Sequence, residues 1–123
     1  MIRVMIVDDH DMVRSSIALA LESYDDLQVV GEASNGMEAV SLCTELQPDV
    51  VLMDLKMPEM DGVAATDSIH QRYPNVQIIA LTSADYHGLV SKALQAGAAS
   101  YLFKNASISE LYEEIRRVYS PVE

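Results

Sequence analysis

Cysteine is almost absent from this chain of 123 residues, in which Cys43 is the only one. A single cysteine can form no disulfide bond within the chain, and a thiolate-bound metal site needs several cysteines, so both are excluded. The lack of disulfides favours a reducing compartment, and we therefore expect a cytoplasmic protein.

Long apolar segments are also missing. The apolar run at the start of the chain ends at the carboxylates of Asp8 and Asp9. This is too early for the apolar core of a signal peptide or for a membrane-spanning helix. We therefore expect neither export nor membrane anchoring.

Basic residues are few. Lysine and arginine total 8 against 19 aspartate and glutamate residues, which gives a formal net charge of -11. A chain this acidic repels the phosphates of nucleic acids and anionic lipid surfaces, so direct DNA binding by these residues is not expected. Hydrophobic residues make up 50% of the chain and charged residues 22%, a balance typical of a globular protein of one domain at this length.

Glycine-rich phosphate loops are absent, since the sequence contains neither a G-x-G-x-x-G nor a Walker motif. A flavodoxin-like cofactor binder would need a loop rich in glycine or hydroxyl groups after the first strand, where this chain has Asp8 and Asp9. Those charges would repel a phosphate. Nucleotide-dependent enzymes and cofactor binders of that kind are therefore poor candidates.

Five short apolar runs predict five β-strands. Each run is continuous rather than alternating, as expected for parallel strands that are buried on both faces. The runs are Ile2–Val7, Leu27–Ala33, Val50–Met53, Val76–Leu81 and Ser100–Phe103. Segments with helical spacing and short connections lie between them, so we predict a doubly wound α/β fold with a five-stranded parallel sheet and five helices in three layers.

Apolar stripes with a period near 3.6 residues predict the helices. The stripes of the first, second and last helices comprise Val13, Ile17, Ala20, Leu21 and Tyr24; Ala39, Val40, Cys43 and Leu46; and Ile108, Leu111, Tyr112, Ile115, Val118 and Tyr119. Ser107 and Glu110 have the spacing of a capping box at the start of the last helix. Pro121 is expected to end that helix, and residues 120–123 are expected to begin a linker.

Polar side chains follow four of the predicted strands at their carboxyl ends, where open parallel sheets bind ligands. They are three carboxylates, two hydroxyls and one ammonium, contributed by Asp8, Asp9, Asp54, Thr82, Ser83 and Lys104. Two carboxylates about 4 Å apart repel by roughly 4 kcal/mol at an effective dielectric constant near 20, so three together need a cation or raised pKa values. Oxygen ligands favour Mg²⁺, and we expect Asp9 and Asp54 to bind it directly.

The same residues suit phosphoryl transfer, in which a carboxylate can be the covalent acceptor and catalysis needs positioning and charge neutralisation. Mg²⁺ would neutralise one phosphoryl oxygen and the Lys104 ammonium another, while the Thr82 hydroxyl would donate to the third. A phosphatase of the haloacid dehalogenase type would need a second aspartate two residues after the nucleophile Asp54, and Lys56 stands there. We therefore expect slow phosphorylation of the protein itself and no turnover of a small substrate.

Four segments together resemble the receiver domains of two-component response regulators. They are Val7-Asp8-Asp9-His10, the sequence MDLKMPEMDG at 53–62, Leu81-Thr82-Ser83 and Lys104. The resemblance implies a CheY-like fold with strand order 2-1-3-4-5, in which residues 1–119 form the receiver domain.

The resemblance also implies a role for each polar residue at the strand ends. Asp54 would be phosphorylated. Mg²⁺ would be held by Asp9, Asp54 and the backbone carbonyl of Lys56, with Asp8 assisting through water, and the phosphoryl group would be bound by Thr82, Ser83 and Lys104.

A conformational switch is implied as well. In receiver domains the residue at the place of Thr82 shifts toward the phosphate and the aromatic at the place of Tyr101 turns inward. His10 is expected to be a loop residue beside the site and neither a metal ligand nor a base.

The sequences DDH at 8–10, GEA at 31–33 and KNAS at 104–107 are similar to the NarL/FixJ/LuxR-type branch of this family. The similarity implies a sensor histidine kinase as phosphoryl donor, a homodimer on phosphorylation, and transcriptional control through a C-terminal helix-turn-helix DNA-binding domain beyond residue 123. Two alternatives remain open: a receiver that stands alone, and an interaction module that works without phosphorylation.

Overall fold

The computed structural model describes residues 1–57, 60–83 and 87–119, with the side chain of His87 left out. Strands and helices alternate along this part of the chain. In order they are β1 (Ile2–Val7), α1 (Asp11–Leu21), β2 (Leu27–Ala33), α2 (Gly36–Leu46), β3 (Val50–Asp54), α3 (Gly62–Arg72), β4 (Gln77–Thr82), α4 (His87–Ala96), β5 (Ser100–Phe103) and α5 (Ile108–Tyr119). The predicted strands agree with these bounds to within one residue.

The five strands form one parallel sheet in the order β2-β1-β3-β4-β5. The predicted doubly wound fold and its strand order are therefore confirmed. Because β2 lies on one side of β1 and the next strand in sequence, β3, lies on the other, the chain changes direction across the sheet between β1 and β3. A crevice at the carboxyl ends of these two strands is the expected ligand site.

Two apolar clusters cover the two faces of the sheet. On one face α2, α3 and α4 contribute buried side chains, among them Cys43, Ile69 and Ala93. On the other face α1 and α5 contribute theirs, including Leu21 and Ile115. The central strands are buried from both sides, which is why their sequences are continuous apolar runs.

Side-chain caps fix where three of the helices begin. The Ser107 hydroxyl accepts from the Glu110 amide at 3.1 Å, and the Glu110 carboxylate accepts from the Ser107 amide at 3.0 Å. This is the predicted capping box. Asn35 and Asp61 cap α2 and α3 in the same way, each with its side chain accepting from the backbone amide three residues later.

Two residues of the predicted apolar stripes are exposed and not buried in the core, so the prediction is wrong for them. Val13 is 44% exposed and Tyr119 is 45% exposed. Val13 lies in the first turn of α1, where it lines an open groove beside the carboxyl ends of the strands. Tyr119 is the last residue of α5, one position beyond Val118, which still belongs to the core cluster.

Two further predictions concern the linker at 120–123 and the absence of membrane anchoring. Pro121 and the linker predicted at 120–123 lie outside the described residues. Within the part of the chain that the structure describes, every helix falls short of the length and hydropathy needed to cross a membrane.

Candidate functional site

Three carboxylates converge at the carboxyl ends of β1 and β3. Val7 and Met53 are paired in register, so the residues that follow them, Asp8 and Asp54, lie side by side. Both are almost completely buried, at 1% exposure, whereas the side chain of Asp9 is 28% exposed. Carboxylate oxygens of these three residues and a ring nitrogen of His10 lie within 4.8 Å of one another.

Lys104 brings positive charge to this cluster. Its Nζ lies 3.0 Å from Asp54 Oδ2 and 3.7 Å from Asp8 Oδ2. The position follows from the pairing of β5 with β4, because the Lys104 amide donates to the Thr82 carbonyl at 2.8 Å. The cluster thus has one ammonium for three carboxylates.

The pKa of Asp54 lies above its ordinary value of 3.8. Burial is the largest cause, because it penalises the charged carboxylate, and the neighbouring Asp8 raises the pKa further. The ion pair with Lys104 and the hydrogen bond from the Lys56 amide oppose these effects without cancelling them. Burial therefore outweighs the favourable positive charge that Lys104 brings to Asp54.

The donor set fits a divalent cation with oxygen ligands. Asp8 Oδ2 is buried and, among the described residues, receives no hydrogen bond. A buried carboxylate oxygen without a donor is costly unless a cation or water completes its surroundings. Carboxylates with room for bound water match the preference of Mg²⁺.

Asp54 is also held by its own chain. The Lys56 amide donates to Asp54 Oδ1 at 3.2 Å, which keeps the backbone of Lys56 directly beside the carboxylate. The Gly62 amide, at the start of α3, donates to the Leu55 carbonyl at 3.1 Å. The metal role predicted for the Lys56 carbonyl stays a prediction, and Pro58 and Glu59 lie outside the described residues.

Arg14 holds the loop between β1 and α1, and sequence reasoning missed it. Its guanidinium donates to the Asp8 carbonyl at 2.6 Å, to Asp11 at 2.8 Å and to Glu32 at 3.1 Å. Burial lowers the pKa of Arg14, but the hydrogen bonds to the two carboxylates outweigh it and raise the pKa. The spacing of Asp11 and Arg14 was a signal for an ion pair along the helix, whereas nothing local pointed to the other two partners.

His10 lies in a loop beside the site, as the sequence predicts. It precedes α1, and its ring Nδ1 lies 3.3 Å from Asp8 Oδ1 and 3.2 Å from Asp9 Oδ1. The expected loop position is correct, but the ring lies in contact with two of the three carboxylates.

The residues predicted for phosphoryl binding and switching lie on β4 and β5 or directly after them. Thr82 is 2% exposed, and its hydroxyl donates to the Ser83 carbonyl at 3.2 Å. A hydroxyl has one proton to donate, so in this structure it does not donate to the carboxylates. Tyr101 is 42% exposed, and its ring packs edge-on against Phe103 with the centroids 5.9 Å apart.

Comparisons with known proteins decide the family. The model of the response regulator receiver domain matches residues 4–116. This chain belongs to that family. Receiver domains of response regulators bind Mg²⁺ in general and interact with histidine kinases.

Individual relatives agree with this assignment. The chain is 44% identical over 120 residues to the response regulator GacA of Pseudomonas viridiflava, covering 98% of this chain and 56% of that protein. It is 47% identical over 116 residues to the transcriptional regulatory protein LiaR of Bacillus subtilis, covering 94% and 55%. The receiver domain thus spans about half the length of these curated relatives.

Solved structures give the same result. The signal receiver domain of a NarL response regulator from Mycobacterium tuberculosis superposes with a TM-score of 0.92 at 30% identity, and the match covers 98% of each chain. The chain is therefore similar to the NarL/LuxR-type receivers, as its sequence predicts.

Proposed function

We propose that Asp54 accepts a phosphoryl group from the phosphohistidine of a sensor kinase and that this modification switches the domain between two states. The observation that supports the proposal is a buried carboxylate with a raised pKa, 3.0 Å from an ammonium and beside two further carboxylates. In the transfer, an Asp54 oxygen forms a bond to phosphorus while the bond from phosphorus to the donor nitrogen breaks, and the donor histidine leaves.

Asp9, Asp54 and the Lys56 carbonyl would hold Mg²⁺ in this proposal, with Asp8 acting through water. The ion, when bound, supplies positive charge to a phosphoryl oxygen and so reduces repulsion between two anions. Lys104, which contacts Asp54 Oδ2, is placed to pair with a second phosphoryl oxygen. The domain would thus assist its own phosphorylation and dephosphorylation, as a phosphoacceptor and not as an enzyme with turnover.

The switch would use Thr82, Ser83 and Tyr101. A phosphoryl group adds about 1.5 to 2 negative charges and new acceptor oxygens beside the end of β4. The Thr82 hydroxyl would leave the Ser83 carbonyl and donate to a phosphoryl oxygen, and the Ser83 hydroxyl lies at the same strand end for a second bond. The half-exposed Tyr101 ring would turn inward as Thr82 moves.

We also propose the context of the domain. Residues 1–119 form the receiver, and a helix-turn-helix DNA-binding domain follows in the full protein, which forms a homodimer on phosphorylation and acts in the cytoplasm. The support is that the relatives are nearly twice as long and that one of them is named a transcriptional regulatory protein. A receiver that stands alone is the alternative.

The test is the intact mass of the protein after incubation with acetyl phosphate, with and without Mg²⁺. We expect one Mg²⁺-dependent phosphoryl adduct in the wild type and in Asp67→Asn, a matched change at an exposed carboxylate on α3. Asp54→Asn should show none. An adduct that persists on the same peptide of Asp54→Asn would refute the assignment, and no adduct in any protein would favour an interaction module that works without phosphorylation.

A further inference from the structure

We propose that Arg14 is a positioning residue for the metal site: it fixes the peptide unit between Asp8 and Asp9 and thereby orients the Asp9 carboxylate toward the cation. The inference rests on the proposed function, in which Asp9 and Asp54 hold Mg²⁺. Arg14 itself would touch neither the ion nor the phosphoryl group.

The Arg14 guanidinium joins three elements of the fold. Nη1 donates to the Asp8 carbonyl at 2.6 Å, Nη2 to Asp11 Oδ1 at 2.8 Å and Nε to Glu32 Oε1 at 3.1 Å. Asp8 follows β1, Asp11 is the first residue of α1, and Glu32 lies on β2. The side chain is only 14% exposed, and its donors lie in one rigid plane, so the three partners are held at fixed places relative to one another.

Asp9 lies between two peptide units that are both held. The Asp8 carbonyl and the Asp9 amide belong to one planar unit, so the bond from Arg14 to that carbonyl fixes the whole unit. The following unit is held by the His10 amide, which donates to Asp8 Oδ1 at 2.8 Å. Two fixed peptide planes determine the backbone torsions of the residue between them, and hence the direction in which the Asp9 side chain leaves the backbone.

The Asp9 carboxylate has less support of its own than the Asp54 carboxylate. The Asp9 side chain is 28% exposed, and the ring of His10, 3.2 Å from Asp9 Oδ1, is itself 67% exposed. The Asp54 side chain is 1% exposed and lies 3.0 Å from the Lys104 ammonium. Of these two carboxylates, that of Asp9 therefore depends more on its backbone for its position, and Arg14 holds that backbone.

The alternative role for Arg14 is that of a positive charge beside the acidic cluster. Such a charge repels Mg²⁺, so its removal alone should tighten Mg²⁺ binding. Loss of the fixed peptide unit should weaken binding instead. The guanidinium is paired with Asp11 and Glu32, two carboxylates outside the cluster, which limits the effect of its charge on the ion. The sign of the change in Mg²⁺ affinity therefore separates the two roles.

The experiment is calorimetric titration of the whole chain with Mg²⁺, at a temperature at which circular dichroism shows the variants to be folded. We expect Arg14→Met to lose about tenfold or more in Mg²⁺ affinity. Arg14→Lys keeps the charge but lacks the planar set of donors, so it should lose about threefold or more, and it serves alone if Arg14→Met does not fold. Arg117→Met, which removes an equal charge from an exposed ion pair with Glu114 on α5, is the matched control and should bind Mg²⁺ as the wild type does.

A second readout needs no metal. The backbone nitrogen of Asp9 belongs to the peptide unit that Arg14 holds, so its resonance in NMR spectra should shift in both Arg14 variants and stay in place in Arg117→Met. Mg²⁺ binding in the Arg14 variants that equals or exceeds that of the wild type would overturn the inference, while Mg²⁺-dependent phosphorylation of the wild type kept the proposed function. A wild type that neither binds Mg²⁺ nor accepts a phosphoryl group would overturn both.

Discussion

At the scale of single residues, opposing electrostatic effects act on the charge of Asp54. Burial disfavours its charge and Asp8 adds repulsion, while Lys104 and the Lys56 amide favour the charge. The net result is a pKa above the ordinary 3.8, so the folded protein binds a proton at Asp54 more readily than the unfolded chain does. As pH rises from the ordinary value through the higher folded pKa, this residue therefore makes folding progressively less favourable.

Substitution of Asp54 by asparagine tests this effect of pH on folding. Without metal at pH 7, Asp54→Asn should unfold at a higher temperature than the wild type, because the amide has no charge to bury. A domain of this size gains roughly 4 °C for each kcal/mol relieved. Below the ordinary aspartate pKa the advantage should vanish, since the carboxyl is then protonated in both states. Thermal unfolding followed by circular dichroism across this pH range measures the difference.

Asp67→Asn serves as the control for this prediction, because Asp67 is exposed on α3. Its unfolding temperature should follow that of the wild type at every pH. Asp54→Asn could instead unfold at a lower temperature than wild type at pH 7. In that case the ion pair with Lys104 would stabilise the folded state by more than burial and repulsion destabilise it.

How much of the site the sequence could predict differs from residue to residue. Asp8, Asp54 and Lys104 follow strands whose order fixes which ends are adjacent, so a rule about strand ends brings them together. The ring of His10 and the guanidinium of Arg14 are placed by loop geometry and side-chain torsions. No periodicity in the sequence encodes those, so the sequence predicts His10 only as a loop residue beside the site and predicts no role for Arg14.

At the scale of elements, α3 begins in direct contact with the strand end that carries Asp54. A Cβ atom built on Gly62 would lie 2.2 Å from the Asp54 carbonyl oxygen and 2.6 Å from Leu55 Cα. Both are backbone atoms, so no side-chain rotation can relieve the contact. Glycine at the first residue of α3 therefore lets the helix pack against the strand end that carries Asp54.

Substitution of Gly62 by alanine tests that contact. Gly62→Ala should reduce the free energy of unfolding by about 3 kcal/mol, the upper range for overpacking, because the helix or the strand end must shift. It should also slow phosphorylation by acetyl phosphate, because the shift moves Asp54. Urea denaturation and the initial rate of adduct formation measure the two effects.

Gly88→Ala is the matched control, since among the described residues a Cβ there would meet no atom within 4 Å apart from its chain neighbours and the backbone of its own helix. It should be neutral or slightly stabilising, as alanine is favoured over glycine in a helix. Equal stability of the two variants would mean that α3 accommodates the methyl group without cost.

Sequence patterns predict elements better than the contacts between them. The capping box at Ser107 and Glu110 is local, and the sequence predicts it correctly. Tyr112 was predicted as part of an apolar stripe, yet its ring stacks on Tyr24 at 3.8 Å and its hydroxyl donates to Asp26, at 2.9 and 3.0 Å from the two carboxylate oxygens. Those partners lie 86 to 88 positions away in the chain, and only the packing of α5 against the turn after α1 brings them together.

At the scale of the whole molecule, a formal net charge of -11 means that cations of any kind should favour the folded state. Salt screens the general repulsion between exposed carboxylates. A divalent ion at the cluster of Asp8, Asp9 and Asp54 would act in addition, because it binds a geometry that the unfolded chain lacks. The two effects can be separated by matching ionic strength.

Comparison of MgCl₂ with NaCl at equal ionic strength makes that separation. Mg²⁺ at about one hundred times its dissociation constant should stabilise the fold by about 2.7 kcal/mol, and NaCl of equal ionic strength should stabilise it less. Asp9→Asn, which removes a proposed ligand, should keep the response to NaCl and lose most of the extra response to Mg²⁺. Scanning calorimetry at several Mg²⁺ concentrations measures both. An identical response to the two salts in wild type would mean that the acidic cluster binds no specific ion and that the charge of the whole chain alone accounts for the effect.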